Sequence, residues 1–191
     1  MEALIFLVLG IVLACAVFWG RARFADFLAQ GPEDYSDGQQ FDVRKHLNGP
    51  MVCEGIIYGP TGRVSSRFVA DFDISWDGND GVMKEHFRYD DGTTQDRAWH
   101  LTVENEGRIL AKATDVIGVG EGIQKGSAVQ LKYQFRLPDD AGGHVLDTVD
   151  WMYLAPNGTI VNRSKFRKFG FKVAELVATM RPVTMEMRQA A

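Results

Sequence analysis

From Arg63 to Trp76 the chain alternates. Val64, Ser66, Phe68, Ala70, Phe72, Ile74 and Trp76 share one parity, and Arg63, Ser65, Arg67, Asp71, Asp73 and Ser75 share the other, interrupted only by Val69. A period of two sustained over that length predicts a long strand with one face on a core and the other in water. Such a strand suits the wall of a barrel better than a small sandwich.

The same text continues on both sides. Met51–Tyr58 leads through Gly59-Pro60-Thr61-Gly62 into this strand, and Asp77–Gly81 turns it back into a strand from Val82 to Tyr89. Further strands are expected from Thr93 to Glu104, Arg108 to Val116, Ala128 to Leu137, His144 to Leu154 and Thr159 to Phe166, each bounded by Gly, Asn, Asp or Pro. Phe171–Met180 fits a last strand, although VAELVATM also carries helical spacing. The glycine-rich Gly118–Gly126 reads as a mouth loop; it is no dinucleotide fingerprint, because neither a following helix nor a βαβ unit accompanies it. Sequential hairpins hide their edges by closing. The predicted fold is therefore mainly β: an antiparallel, up-and-down, lipocalin-like (calycin) barrel of about nine strands over residues 51–181, with a short tail at 182–191.

The N-terminal region follows a different pattern. Ala3–Trp19 carries no charge, Trp19 sits where an interfacial aromatic belongs, and Arg21 and Arg23 follow. This predicts a single-pass transmembrane helix, with Phe24, Phe27 and Leu28 extending it along the interface to residue 30. A secretory signal is the rival reading, but the run lacks a basic leader and a small-residue cleavage site. Val12-Leu13-Ala14-Cys15 resembles a lipoprotein box, yet apolar residues continue past Cys15 as they would in an uncleaved helix. Residues 31–50 then read as a polar linker and a short helical segment, Phe41–Leu47, suited to capping one barrel mouth.

Composition narrows the classes. The 191 residues carry a net charge of -4, which gives no basic footprint for nucleic acid, and 46% hydrophobic residues can fill a core. Of two cysteines, Cys15 lies in the apolar run, so no disulfide is expected and Cys53 reads as a wall residue. His46, His86, His100 and His144 form no metal-binding motif, so neither metal nor cofactor is expected.

Several spaced motifs, taken together, carry a resemblance. Asp150-Trp151-Met152-Tyr153-Leu154, Asn162-Arg163-Ser164 and Lys168-Phe169-Gly170 stand near the C-terminus. Upstream are Phe41-Asp42, Asn48-Gly49, Glu85 with Phe87, Tyr89-Asp90-Asp91-Gly92, Arg97 with Trp99, and Asp115-Val116 with Gly118. With these motifs the chain resembles the uncharacterised bacterial envelope family known as domain of unknown function 3833, from about Phe41 to Arg181. The family has no established activity. The resemblance implies a bacterial envelope protein, and because some members neighbour fatty-acid-modifying enzymes it hints at lipid. A retained anchor implies the bacterial inner membrane, and Arg21 and Arg23 favour a cytoplasmic soluble domain.

Strand parity gives the candidate site. Glu85 shares a face with Met83, Phe87 and Tyr89; Arg97 with Trp99, Leu101 and Val103; Asp115 with Ile109, Ala111 and Ala113. If those faces point inward, three charges meet on adjacent strands inside the barrel. The trio is either a salt-bridged plug that fixes register or a polar floor beneath an apolar chamber. Trp99, Tyr133 and Trp151 are the aromatic candidates for the lining, and Asp150 is expected to pair with Arg163 across a hairpin. No nucleophile is supplied, so no catalytic residue is assigned. The expected function is a membrane-tethered barrel that binds a lipid or fatty-acyl ligand as an accessory to membrane lipid modification. The alternatives are a scaffold with a side-chain-filled barrel and an envelope protein partner, and, third, an unidentified enzyme.

Overall fold

The protein is described by a computed structural model over residues 1–24 and 27–183. The tail from residue 184 onward, and Ala25 and Asp26 within the expected interfacial helix, lie outside the described residues. Helix α1 (Glu2–Phe24) precedes a short helix α2 (Val43–His46) and ten strands: β1 (Gly49–Tyr58), β2 (Val64–Asp77), β3 (Asp80–Tyr89), β4 (Thr94–Val103), β5 (Arg108–Lys112), β6 (Val116–Lys125), β7 (Ala128–Arg136), β8 (Val145–Leu154), β9 (Ile160–Lys168) and β10 (Phe171–Pro182). Each strand pairs antiparallel with the next, and β10 closes on β1 with Met51 opposite Pro182 and Tyr58 opposite Glu175. A closed barrel leaves no edge strand.

β2 carries the alternation into the barrel unchanged. Phe68, Ala70, Phe72 and Ile74 are buried, while Val69, the exception to the pattern, is exposed on the outer face. The VAELVATM stretch is strand, because as β10 it supplies the hydrogen bonds that β1 needs on its free side.

Ten strands stand where the sequence predicts about nine, and the difference is β6. Its glycines read as a loop, yet they are required by the close approach of the next strand. A Cβ on Gly122 would lie 2.3 Å from Leu131 Cδ2 and 2.4 Å from the Gln130 carbonyl oxygen, and one on Gly120 would lie 3.0 Å from Tyr133 Cβ. A register shift between Ile117 and Glu121 bends the strand at the same place. Gly122→Ala is accordingly expected to destabilise the barrel by about 1–3 kcal/mol, measured as a lower denaturant midpoint, because the backbone of β7 must move.

One end of the barrel is closed. Asp42 caps α2 by accepting from the Arg44 amide at 3.0 Å, the Phe41 amide donates to Gly126 O at 2.7 Å, and the Trp76 indole donates to Leu47 O at 2.7 Å. These bonds seat Phe41, Val43 and Leu47 in the core.

Beyond α1, the described residues 27–29 form a turn where the sequence predicts an interfacial helix. α1 ends at Phe24, and Phe27 turns instead onto the outer wall, where it is buried with Ala128 and Trp151. Tyr35 packs edge-on against Trp151 at 5.3 Å and Tyr153 at 5.2 Å, and the hydroxyls of both tyrosines donate to Gln30 Oε1. Burying Phe27 there contributes roughly 1.5–3 kcal/mol relative to leaving the ring in water. α1 itself is long and apolar enough from Glu2 to Arg21 to cross a membrane, a property that a signal sequence near the N-terminus shares.

Candidate functional site

Inside the barrel is a chamber of about 300 Å³. Cys53 on β1, Phe68 and Phe72 on β2, Leu131 on β7 and Met152 on β8 are part of an apolar lining, and Val43 and Leu47 floor it at the capped end. At the opposite end Ile57, Tyr89, Phe135, Phe166 and Leu176 ring the mouth and are only half-buried.

A polar cluster interrupts this lining. Phe72, Glu85 and Arg97 are direct cross-strand neighbours on β2, β3 and β4, so their side chains stand in a row on the inner face. The Arg97 guanidinium grips Asp115 with two hydrogen bonds, Nε to Oδ2 and Nη2 to Oδ1, both 2.8 Å, and reaches Glu85 Oε2 more loosely at 3.4 Å. It also lies over the Trp99 ring at 4.4 Å from the centroid. Asp115 is not on a strand, as the parity argument assumed; it sits in the turn between β5 and β6, and the arginine fork reaches it there.

Burial sets the protonation of this cluster. It pushes Glu85 up to about 7, because removal from water outweighs the pull of Arg97. Arg97 is held fully charged by Glu85 and Asp115 in spite of its own burial. Burial also raises the Cys53 thiol far above its ordinary range, so it remains an unreactive wall group.

Five of the six residues singled out in the sequence (Glu85, Arg97, Trp99, Asp115 and Tyr133) line the chamber. The sixth does not. Trp151 lies on the outer face of β8, fully buried beneath Phe27 and Tyr35. Its neighbour Asp150 points inward instead, accepting from Ser164 Oγ at 2.8 Å and from the Asn162 side-chain amide. Asp150 therefore does not pair with Arg163, which bonds Glu175 at 2.7 Å on the outside. Burial raises Asp150 to about 6, against the two hydrogen bonds that favour its ionised form. Asp150, Asn162 and Ser164 are among the polar chamber residues that sequence reasoning missed, as is Gln95 on the same strand as Arg97. The signal for Asp150, Asn162 and Ser164 was their shared parity with Met152, Ile160 and Phe166.

The family described as "Protein of unknown function (DUF3833)" matches residues 23–182. The chain belongs to this family. In this DUF3833 chain, Glu85, Phe87, Tyr89, Arg97, Trp99, Asp115, Asp150, Asn162 and Ser164, which are scattered through the motifs of the resemblance, converge on one chamber. Among solved structures, an S-type phycobiliprotein lyase, CPES from Guillardia theta, matches with a TM-score of 0.56 at 10% identity, over 81% of this chain and 98% of the other. That likeness supports a lipocalin-like fold for the DUF3833 barrel. No curated protein matches the chain. Among the described residues, no group of three His, Cys, Asp or Glu is placed to hold a metal ion.

Proposed function

We propose that this chain is a membrane-tethered barrel that takes up a lipid or fatty-acyl molecule in its chamber, as an accessory to membrane lipid modification. The observation that carries the reading is the chamber itself: about 300 Å³ of unfilled, mostly apolar space with a few convergent polar groups, within the range of small-molecule sites. A scaffold whose barrel is packed with its own side chains has no use for such a space. The solved lyase of similar fold is named for its action on phycobiliproteins, and this chain takes from it the barrel architecture alone.

The charges narrow the form of the ligand. Arg97 is the one cation among the described lining residues, and Asp115 already occupies it through two hydrogen bonds. A free carboxylate would join Glu85, Asp115 and Asp150 with no cation left to meet it, a costly arrangement in a poorly solvated site. An uncharged end that donates hydrogen bonds, such as an amide, alcohol or protonated acid, finds acceptors in Glu85 and Asp150. Tyr133 also lines the chamber, and its hydroxyl has no partner among the described residues.

The test uses the full chain in detergent micelles, with native mass spectrometry after offering decanamide, decanol and decanoate at equal concentration near pH 8. The amide and the alcohol are expected to bind at least about tenfold more tightly than the carboxylate, a difference of about 1.4 kcal/mol. Tightest binding of decanoate would refute the charge argument and leave the chamber reading standing. If none of the three binds and gentle purification carries no lipid, the chamber reading fails.

A further inference from the structure

The most exposed apolar side chains of the barrel stand together at one place. β9 turns into β10 through only two residues, Phe169 and Gly170, between the paired Lys168 and Phe171. Both turn residues have positive φ, 51° and 83°, the geometry of two-residue hairpins that usually take Asn-Gly or Gly-Gly. A phenylalanine in the left-handed region is strained, and this one gains nothing by burial, since it is 87% exposed. Phe171 is 76% exposed, whereas no other exposed large hydrophobic among the described residues of the barrel exceeds 45%. A strained, water-facing aromatic pair reads as a contact surface.

Its surroundings give the chemistry of the contact. Arg163, Lys165, Arg167, Lys168 and Lys172 lie on the same hairpin, with Glu175 as the one acid from Ile160 to Pro182. Lys168 Nζ stands 5.5 Å from the Phe169 ring, and the Arg167 guanidinium holds the tip by donating to Gly170 O at 2.9 Å. Aromatic rings flanked by lysine and arginine fit the headgroup layer of an anionic bilayer, where rings enter the interface and cations meet lipid phosphates. Phe166, Ala174 and Leu176 of this hairpin line the chamber, so its tip stands beside the mouth.

We infer that the tip of the β9–β10 hairpin docks on the anionic surface of the membrane that α1 crosses, and so turns the chamber mouth toward the bilayer. The inference rests on the tethered part of the reading above and on no particular ligand. Tethering supplies the high local concentration that lets a small patch dock. An apolar molecule then passes between bilayer and chamber without crossing open water.

The experiment places the full chain in nanodiscs and adds a reporter, Phe169→Trp, with the emission of the parent subtracted. In nanodiscs containing phosphatidylglycerol, the added tryptophan is expected to be quenched at least about twofold by bromine-labelled lipid, and to escape quenching in phosphatidylcholine at roughly 0.5 M NaCl. Reversing charge with Arg167→Glu, Lys168→Glu and Lys172→Glu together abolishes the quenching. Phe171→Trp, at an ordinary strand position, carries the same test if Phe169→Trp alters the circular dichroism of the barrel. An added tryptophan that emits as if in water and is unquenched in the anionic nanodiscs overturns the inference, as does quenching that survives the charge reversal. Because the readout involves no chamber ligand, it stands or falls apart from the acyl-binding test.

Discussion

An Arg97→Met chain is expected to lose about 3–5 kcal/mol of stability near pH 8, seen as a lower urea midpoint. Methionine keeps most of the side-chain volume, so the loss reports charge and not a cavity. Among the described residues the guanidinium is the only positive partner for Asp115, held by two bonds of 2.8 Å, and it faces Glu85 at 3.4 Å. Without it, two carboxyl groups are left in a site whose side-chain exposure is 5% for Glu85 and 18% for Asp115. Removing those charges as well should return much of the loss, so Arg97→Met with Asp115→Asn and Glu85→Gln is expected to be more stable than Arg97→Met alone. That rescue separates two roles. A guanidinium used only to hold a ligand would leave the midpoint unchanged and abolish binding, whereas one that neutralises its neighbours lowers the midpoint and is compensated by their neutralisation. The bidentate grip on Asp115 points to the second role; under the proposal above, a ligand's contacts then fall to Glu85, Asp150 and Tyr133.

The barrel was legible wherever one face of a strand meets water. Along β2, apart from Val69, polarity tells inside from outside, and the same rule carried Glu85 and Arg97 onto the inner face. It failed on β8, because that strand is covered on both sides. Trp151 and Met152 are both buried, one beneath Phe27 and Tyr35 and the other in the barrel, so apolar character no longer marks the interior. Asp150, polar and inward, is the residue for which the sequence predicts a pair with Arg163. The register shows why that pairing is closed to it: Asp150 stands opposite Ser164, and Trp151 opposite Arg163, so Asp150 and Arg163 face opposite sides of the sheet. β6 escaped for another reason. Its glycines exist to let β7 approach, a requirement set by a partner strand and absent from local pattern. Asp115 was found despite being placed on the wrong element, since the length of an arginine side chain tolerates such an error.

The pH dependence of stability should run opposite to ordinary acid denaturation over the neutral range. Glu85 has an ordinary value of 4.5 and is raised to about 7 in the barrel; Asp150 goes from 3.8 to about 6. Between each pair of values the folded chain keeps a proton that the unfolded chain releases, so stability falls as pH rises through that window. The contribution is fully present below the unfolded value and lost above the folded one. At about 1.4 kcal/mol per pKa unit, each group accounts for roughly 3 kcal/mol. The groups facing Glu85 are Arg97 on β4, Asp115 in the β5–β6 turn, Tyr133 on β7, Asp150 on β8, Cys53 on β1 and Tyr89 on its own strand β3; of these only Arg97 opposes the upward shift. Carboxylates with the reverse behaviour lie outside the chamber: Arg44 lowers Asp42, and Glu175, in spite of its burial, is lowered by hydrogen bonds from Arg163 and Lys172. Their stabilisation is lost only below their ordinary values, outside the range from about pH 5 to pH 8. His86 pairs with Asp96 at 2.6 Å at the surface, so the chamber's share of the profile is the part that substitution of Glu85 and Asp150 removes. The urea midpoint is expected to fall across that range, and Glu85→Gln and Asp150→Asn should each flatten the profile. A midpoint that stays level or rises would mean that both carboxyl groups ionise in the barrel as they do in water, and the argument against a carboxylate ligand would fall with it. A falling midpoint that both variants flatten would show instead that the chamber gains acceptors only by spending stability, which a hydrogen-bond donor in the chamber can return.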